Sequence, residues 1–156
     1  VTLPNVEKIP VVRFDEAKKM VSEKYDRRIK NPYDLEPEEE HLIGTLFKEE
    51  YDADFVFVTH YPSKKRPFYA MDDPQDTTFT LSFDLLFRGL EITTGGQRIH
   101  DYRMLTEKIA ARGMTEEDAR ACIVSGFADN VSKELPLEYA MEMNNLIRLE
   151  MKGSIG

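Results

Sequence analysis

Alternation of apolar and polar residues is sharpest between Phe79 and Arg88. Phe79, Leu81, Phe83, Leu85 and Phe87 fall on one side, and Thr80, Ser82, Asp84, Leu86 and Arg88 on the other. A period of two marks a half-buried strand. Arg88-Gly89 then supplies a turn, and Leu90-Glu91-Ile92-Thr93 reads as the returning strand. A loop of two or four residues places Asp84 and Glu91 on the same face of this hairpin, opposite the apolar one. A loop of three separates them, so the register decides. Upstream, Phe14, Ala17, Met20 and Val21 recur at helical spacing and predict a helix over 14–24; Leu42, Ile43, Leu46 and Phe47 predict another over 38–51. The β-branched and aromatic run 54–60 reads as a buried strand, and 67–71 as a short one.

From Asp101 onward the pattern turns helical, over 102–112, 115–129 and 136–152. Thr115 is the expected N-cap of the middle helix, with acidic residues in its first turn, and Gly113 the expected cap of the helix before it. Ile123, Val124 and Phe127, and then Leu137, Ala140, Met141, Asn144, Ile147 and Leu149–Met151, form apolar stripes that read as core. They are expected to cover the hairpin's apolar face or to pair two copies of the chain. The predicted class is α+β: an antiparallel sheet flanked by helices, with a helical C-terminal tail.

Composition narrows the function. With 156 residues the chain suits one folded unit. A net charge of −8 argues against a nucleic-acid clamp made by this chain alone. The single cysteine, Cys122, excludes an internal disulfide and a cysteine metal cluster, fits a reducing cytoplasm, and is expected to be a packed thiol within a helix. No apolar run approaches the roughly 20 residues that span a bilayer, and the first residues lack a signal-peptide pattern. The absence of an initial methionine points to a processed, truncated or excised segment.

Two carboxylates, Asp84 and Glu91, followed by Gly95-Gly96-Gln97-Arg98, point to a site for a divalent cation and a small anionic ligand. The bland alternative is that both acids face water and that the glycines make a bulge. His60 and His100 have no nucleophile paired with them, which favours structural or substrate-contact roles. Lys64-Lys65-Arg66 reads as a solvated turn. Asp72, Asp73 and Asp76 lack EF-hand spacing and read as loop residues.

The stretch Phe55 to Leu105 carries THYP, RPFY, SFDLLFRG and EITTGGQRIH in order. It closely resembles the catalytic domain of class II aspartyl-tRNA synthetases, particularly the archaeal-type aspartyl/asparaginyl branch, over about residues 1–111. The resemblance implies the antiparallel sheet of that class, a cytoplasmic location, and activation of aspartate with ATP and magnesium before transfer to tRNA. It implies that Asp84 and Glu91 hold magnesium, with the Thr94 hydroxyl beside it. Arg98 matches the arginine that recognises the aspartate side chain. Gln97, Gly96, Arg66 and Tyr69 match residues lining the amino-acid pocket, with His60 nearby.

The three class II motifs are expected to be missing: two would lie before Val1, and the Gly-Leu-Glu-Arg segment that should follow His100 is replaced. On that ground the segment is expected to be incomplete and inactive alone. Residues 112–156 resemble instead the C-terminal segment of the Suf-system iron–sulfur assembly scaffold, notably in ARACIVSGFADNVSKELPLEYAMEMNNLIRLEM. This gives the expectation of a chimera joined near Ala111–Met114, with a partial catalytic core over 1–111 and a helical tail over 112–156 packed on it. Alternatives are a non-enzymatic chimera without substrate and an iron–sulfur assembly component.

Overall fold

The computed structural model describes residues 4, 6, 8–115, 117–121, 123, 124, 126 and 136–153, the side chains of 148 and 150–153 excepted. They fall into two compact units, Val1–Ile99 and His100–Gly156. The expectations for Cys122 and Phe127 lie outside the described residues.

The first unit is built on four strands, β1 (Val11–Arg13), β2 (Phe55–Thr59), β3 (Ser82–Phe87) and β4 (Leu90–Gly96), adjacent in that order. β2–β3 and β3–β4 are antiparallel, but β1 and β2 are parallel. The sheet is therefore mixed, which corrects the antiparallel expectation. The cause is the connection: β1 runs straight into helix α1 (Phe14–Tyr25), and helix α2 (Pro37–Tyr51) follows before β2. A helical crossover of this kind is what a parallel pair requires.

Local chemistry starts and stops both helices. Pro37 opens α2 with a fixed φ, and the Glu39 carboxylate accepts the Glu36 N–H at 2.8 Å. Asp26 and Asp52 end α1 and α2 in the left-handed conformation. α1 contributes Phe14, Ala17 and Val21 to the core, and α2 contributes Ile43, Leu46 and Phe47. They meet Val12, Val56, Val58, Tyr61 and Leu86 of the sheet and its flanks. Between the helices Lys18 Nζ donates to Glu39 at 2.5 Å and to the Asn31 carbonyl at 2.8 Å, an ion pair almost wholly removed from water.

The hairpin turn is Arg88-Gly89, with both residues at positive φ. α2 crosses this turn backbone to backbone, for a Cβ on Gly44 would overlap the Gly89 amide. Only glycine permits that approach. Arg88 Nε also donates to Asp54 at 2.9 Å, tying the turn to the start of β2.

Alternation predicts two faces for β3 correctly but not which one is covered. Ser82, Asp84 and Leu86 are buried, while Phe83, Leu85 and Phe87 are only half-buried. Asp84 thus lies on the helix-covered face with Val56 and Val58, and is 6% exposed. A water-facing position is therefore ruled out for Asp84, while Glu91 remains exposed: α1 and α2 supply apolar cover for the face that looks more polar on this strand. Residues 67–71 form a turn, not a strand; Pro67 lacks a backbone donor, and its carbonyl accepts the Ala70 N–H.

In the second unit, α3 (Tyr102–Ala110) is capped by Asp101, whose carboxylate accepts the Met104 N–H. Thr115 caps the next helical residues, 117–121, accepting the Asp118 N–H at 3.1 Å. Ile109 and Ala119 are buried. In α4 (Leu137–Gly153), Leu137, Tyr139, Met141, Leu146 and Leu149 are exposed. Of the stripe expected to be core, Leu137, Met141, Asn144 and Leu149 are exposed, while Ala140 and Ile147 are half-buried.

Candidate functional site

Register decides what can meet on the hairpin. The loop holds two residues, Phe87 pairs with Leu90, and Leu86 pairs with Glu91. Glu91 therefore shares the face of Leu86 and Asp84. Beyond it the register slips by one, so that Thr93 pairs with Leu85 and Thr94 with Asp84. This bulge at Ile92 reverses the alternation of β4. Without it Thr94 would stand on the opposite face; with it Asp84, Glu91 and Thr94 share one.

Asp84 is the centre of the polar network. Arg66 Nη2 donates to both of its oxygens, at 2.8 and 2.9 Å, and Arg66 Nη1 to the Thr94 hydroxyl at 3.2 Å. Thr94 in turn donates to Asp84 at 2.5 Å. The guanidinium rests on the ring of Tyr61, 3.9 Å from its centroid. The Tyr61 hydroxyl is buried beside Asp84 without a hydrogen bond of normal geometry, and burial first, then the Asp84 charge, pushes its pKa far up. Lys64-Lys65-Arg66 is therefore not wholly a solvated turn.

Two further acids feel Asp84. Burial raises the pKa of Glu91, with Asp84 adding to the shift and Arg66 opposing it. Burial also raises Glu40, on the first turn of α2, with Glu91 and Asp84 as the next contributions. Glu40 was not foreseen from the sequence, because nothing local marks it; only the crossing of α2 over the hairpin brings its charge close.

Beside this network lies a cavity of about 280 Å³, lined by Arg66, Pro67, Tyr69, Ala70, Ser82, Thr94, Gly95, Gly96, Gln97 and Arg98. The turn carrying Tyr69 and the segment after β4 are stitched together. Met71 N–H donates to the Gln97 carbonyl, Ile99 N–H to the Tyr69 carbonyl, and Gln97 N–H to the Leu81 carbonyl. Arg98 lies over the Tyr69 ring, 4.6 Å from its centroid. A Cβ on Gly96 would come within 2.9 Å of the Leu81 oxygen and Ser82 Cα, so a larger residue would displace this wall.

Of the residues singled out by sequence, Arg66, Tyr69, Thr94, Gly96, Gln97 and Arg98 line one cavity. Asp84 bonds to two of them, and Glu91 shares its face. His60 stands apart from the cavity lining, its ring nitrogens 2.9 Å from Thr59 Oγ1 and 3.7 Å from Asp73. Tyr61, the platform under Arg66, was missed; its place between His60 and Pro62 gave the only signal. Asp73 and Asp76 accept the Gln75 and Thr78 N–H groups of their own loop, as loop residues do, and Asp72 accepts the Ser63 hydroxyl.

The oxygen donors suit magnesium, which uses one or two protein carboxylates and completes its shell with phosphates and water. No cluster of three or more His, Cys, Asp or Glu side chains placed to hold a metal ion occurs among the described residues.

Comparison with known proteins adds an independent measure. The sequence model of the tRNA synthetases class II (D, K and N) matches residues 3–131. The aspartate–tRNA(Asp/Asn) ligase of Deinococcus radiodurans is 47% identical over 122 residues, covering 74% of this chain and 28% of the relative. Among solved structures, the aspartyl-tRNA synthetase of Entamoeba histolytica superposes with a TM-score of 0.65 and 32% identity, over 70% of this chain and 22% of the other. The asparaginyl-tRNA synthetase of Pyrococcus horikoshii gives 0.62 and 32%, over 73% and 26%. The chain spans about a quarter of the length of the relatives it matches. The family match runs across the Ala111–Met114 join to residue 131, so a chimera with an iron–sulfur scaffold tail finds no support.

Proposed function

Because the chain belongs to the class II tRNA synthetases (D, K and N), we propose that it is a segment of an aspartate–tRNA ligase catalytic domain, carrying the amino-acid pocket and the metal-binding carboxylates. The whole protein activates aspartate with ATP to an aspartyl-adenylate and passes it to tRNA in the cytoplasm. No described helix is long and apolar enough to cross a membrane.

One observation carries the reading: Arg66, Tyr69, Gly96, Gln97 and Arg98 line a single cavity that adjoins Asp84 through Arg66 and Thr94. Arg98 receives the side-chain carboxylate through its planar fork. Gly96 lets the pocket wall lie close against the Leu81–Ser82 backbone, and the Tyr69 ring supports the Arg98 guanidinium. Asp84 and Glu91 hold magnesium, with the Thr94 hydroxyl at hand. When bound, magnesium supplies charge neutralisation for the ATP phosphates. The protein's own share is orientation, and no covalent nucleophile is needed.

Asparagine is the competing substrate, given the asparaginyl neighbour. Two guanidinium groups in the lining favour a second carboxylate over an amide. A thermal-shift titration decides between them. L-Aspartate with magnesium should raise the midpoint more than L-asparagine does, and Arg98→Ala should erase the difference. An equal response to both amino acids, or none to either, contradicts the proposal. Pyrophosphate exchange by this chain alone should be far below that of a full-length relative, since the chain spans only about a quarter of the length of the relatives it matches.

A further inference from the structure

We propose that Arg66 is a positioning residue that couples amino-acid binding to metal binding, by exchanging its grip on Asp84 for the carboxylate of the bound amino acid. The inference rests on the reading above and deepens it. It starts from a conflict in the geometry. Asp84 and Glu91 are the carboxylates assigned to the cation, with the Thr94 hydroxyl at hand, yet Arg66 spans Asp84 and Thr94, with two hydrogen bonds to the first and one to the second. A divalent cation placed on Asp84 would sit against this guanidinium, and like charges at contact distance in a part-buried site repel strongly. One of the two must give way.

Arg66 has somewhere to go. It also lines the cavity that contains Tyr69, Gln97 and Arg98. A carboxylate bound there offers the same bidentate geometry that Asp84 offers now. The Tyr61 ring beneath the guanidinium is a flat support on which it can shift while remaining stacked. The buried Tyr61 hydroxyl lies beside Asp84 without a hydrogen bond of normal geometry, and can complete one to it once Arg66 has moved. Asp84 would then stay oriented without its guanidinium partner. The consequence is linkage: the amino acid strengthens metal binding, and the metal strengthens amino-acid binding by the same factor.

Manganese, read by electron paramagnetic resonance, serves as the probe for the metal, and L-aspartate as the amino acid. In the unaltered chain, saturating aspartate should tighten manganese binding by about fivefold or more, the lower end of ordinary coupling. Arg66→Gln should bind manganese more tightly without aspartate, and aspartate should then change it little. Unchanged manganese affinity on adding aspartate to the unaltered chain overturns the coupling, as does full coupling surviving in Arg66→Gln. The first of these needs no variant, so misfolding of Arg66→Gln cannot shield the proposal. Asp84→Asn separates the two levels. If it leaves manganese binding intact, or if manganese does not bind at all, the metal site itself is wrong and the coupling falls with it. If it abolishes binding while aspartate has no effect on the unaltered chain, the site stands and only the coupling fails.

Discussion

The two faces of the sheet differ in a way that reverses intuition. One carries Phe55, Phe57, Phe83, Leu85 and Phe87, with Phe55 on Phe87 and Phe57 on Phe83 in ring contact, and remains half-buried. The other carries Ser82 and Asp84 alongside Val56, Val58 and Leu86, and lies beneath two helices. On β3 the more polar face is the covered one. Burial there depends on what packs against the sheet: α1 and α2 bring the apolar side chains, and Arg66, from the segment before β3, brings the charge that matches Asp84. A carboxylate held by Arg66 and Thr94 is the form in which an acid can be buried at modest cost.

This contrast can be broken by substitution. The largest loss should come from the layer covering the polar face. Lys18→Met leaves Glu39 buried without its partner and should cost about 3–5 kcal/mol in urea unfolding, with the double variant Lys18→Met/Glu39→Leu recovering much of it. Leu86→Ala, at a fully buried position, should cost about 2–5 kcal/mol. Leu85→Ala, its neighbour on the aromatic face, should cost only about 1 kcal/mol, roughly half the transfer value of a buried leucine. Equal losses at 85 and 86 would show that the aromatic face is as well covered as the other.

Much of this architecture was legible because periodicity records a side chain's side. α1, α2, β2 and the two-residue hairpin turn fall close to where their patterns predict. β1 was not, since three residues, Val11–Arg13, carry no period and pair only with a strand far along the chain. The bulge was invisible too, because Leu90-Glu91-Ile92-Thr93 reads as regular alternation, and only the pairing with β3 exposes the slip. The cavity residues were named through family resemblance, but the grip of Arg66 on Asp84 could not be read from a basic run in a turn. That contact depends on how residues 61–71 fold back over β3.

Smaller effects sharpen the picture at the turn. Gly44→Ala should destabilise by more than an ordinary helix-surface change and disturb the hairpin first, visible as faster amide exchange at residues 88–91. The gentlest expected effect is on pH dependence. A hydrogen bond from Arg88, followed by its charge and that of Lys48, holds the Asp54 carboxyl below its ordinary value of 3.8. A lowered native pKa contributes stability above 3.8 that is lost as pH falls through the lower native value. Arg88→Gln should therefore flatten acid unfolding in that window, and an unchanged acid limb would rule out the contact as a contributor.

The central claim is that this segment carries a site for a dicarboxylic amino acid at the end of the hairpin. Amide NMR of the labelled chain during titration with L-aspartate and magnesium tests it most directly. Shifts concentrated at Thr94, Gly95, Gly96, Gln97 and Arg98, and lost in Arg98→Ala, are the predicted result. Shifts centred elsewhere, or no saturable shift at all, would contradict it.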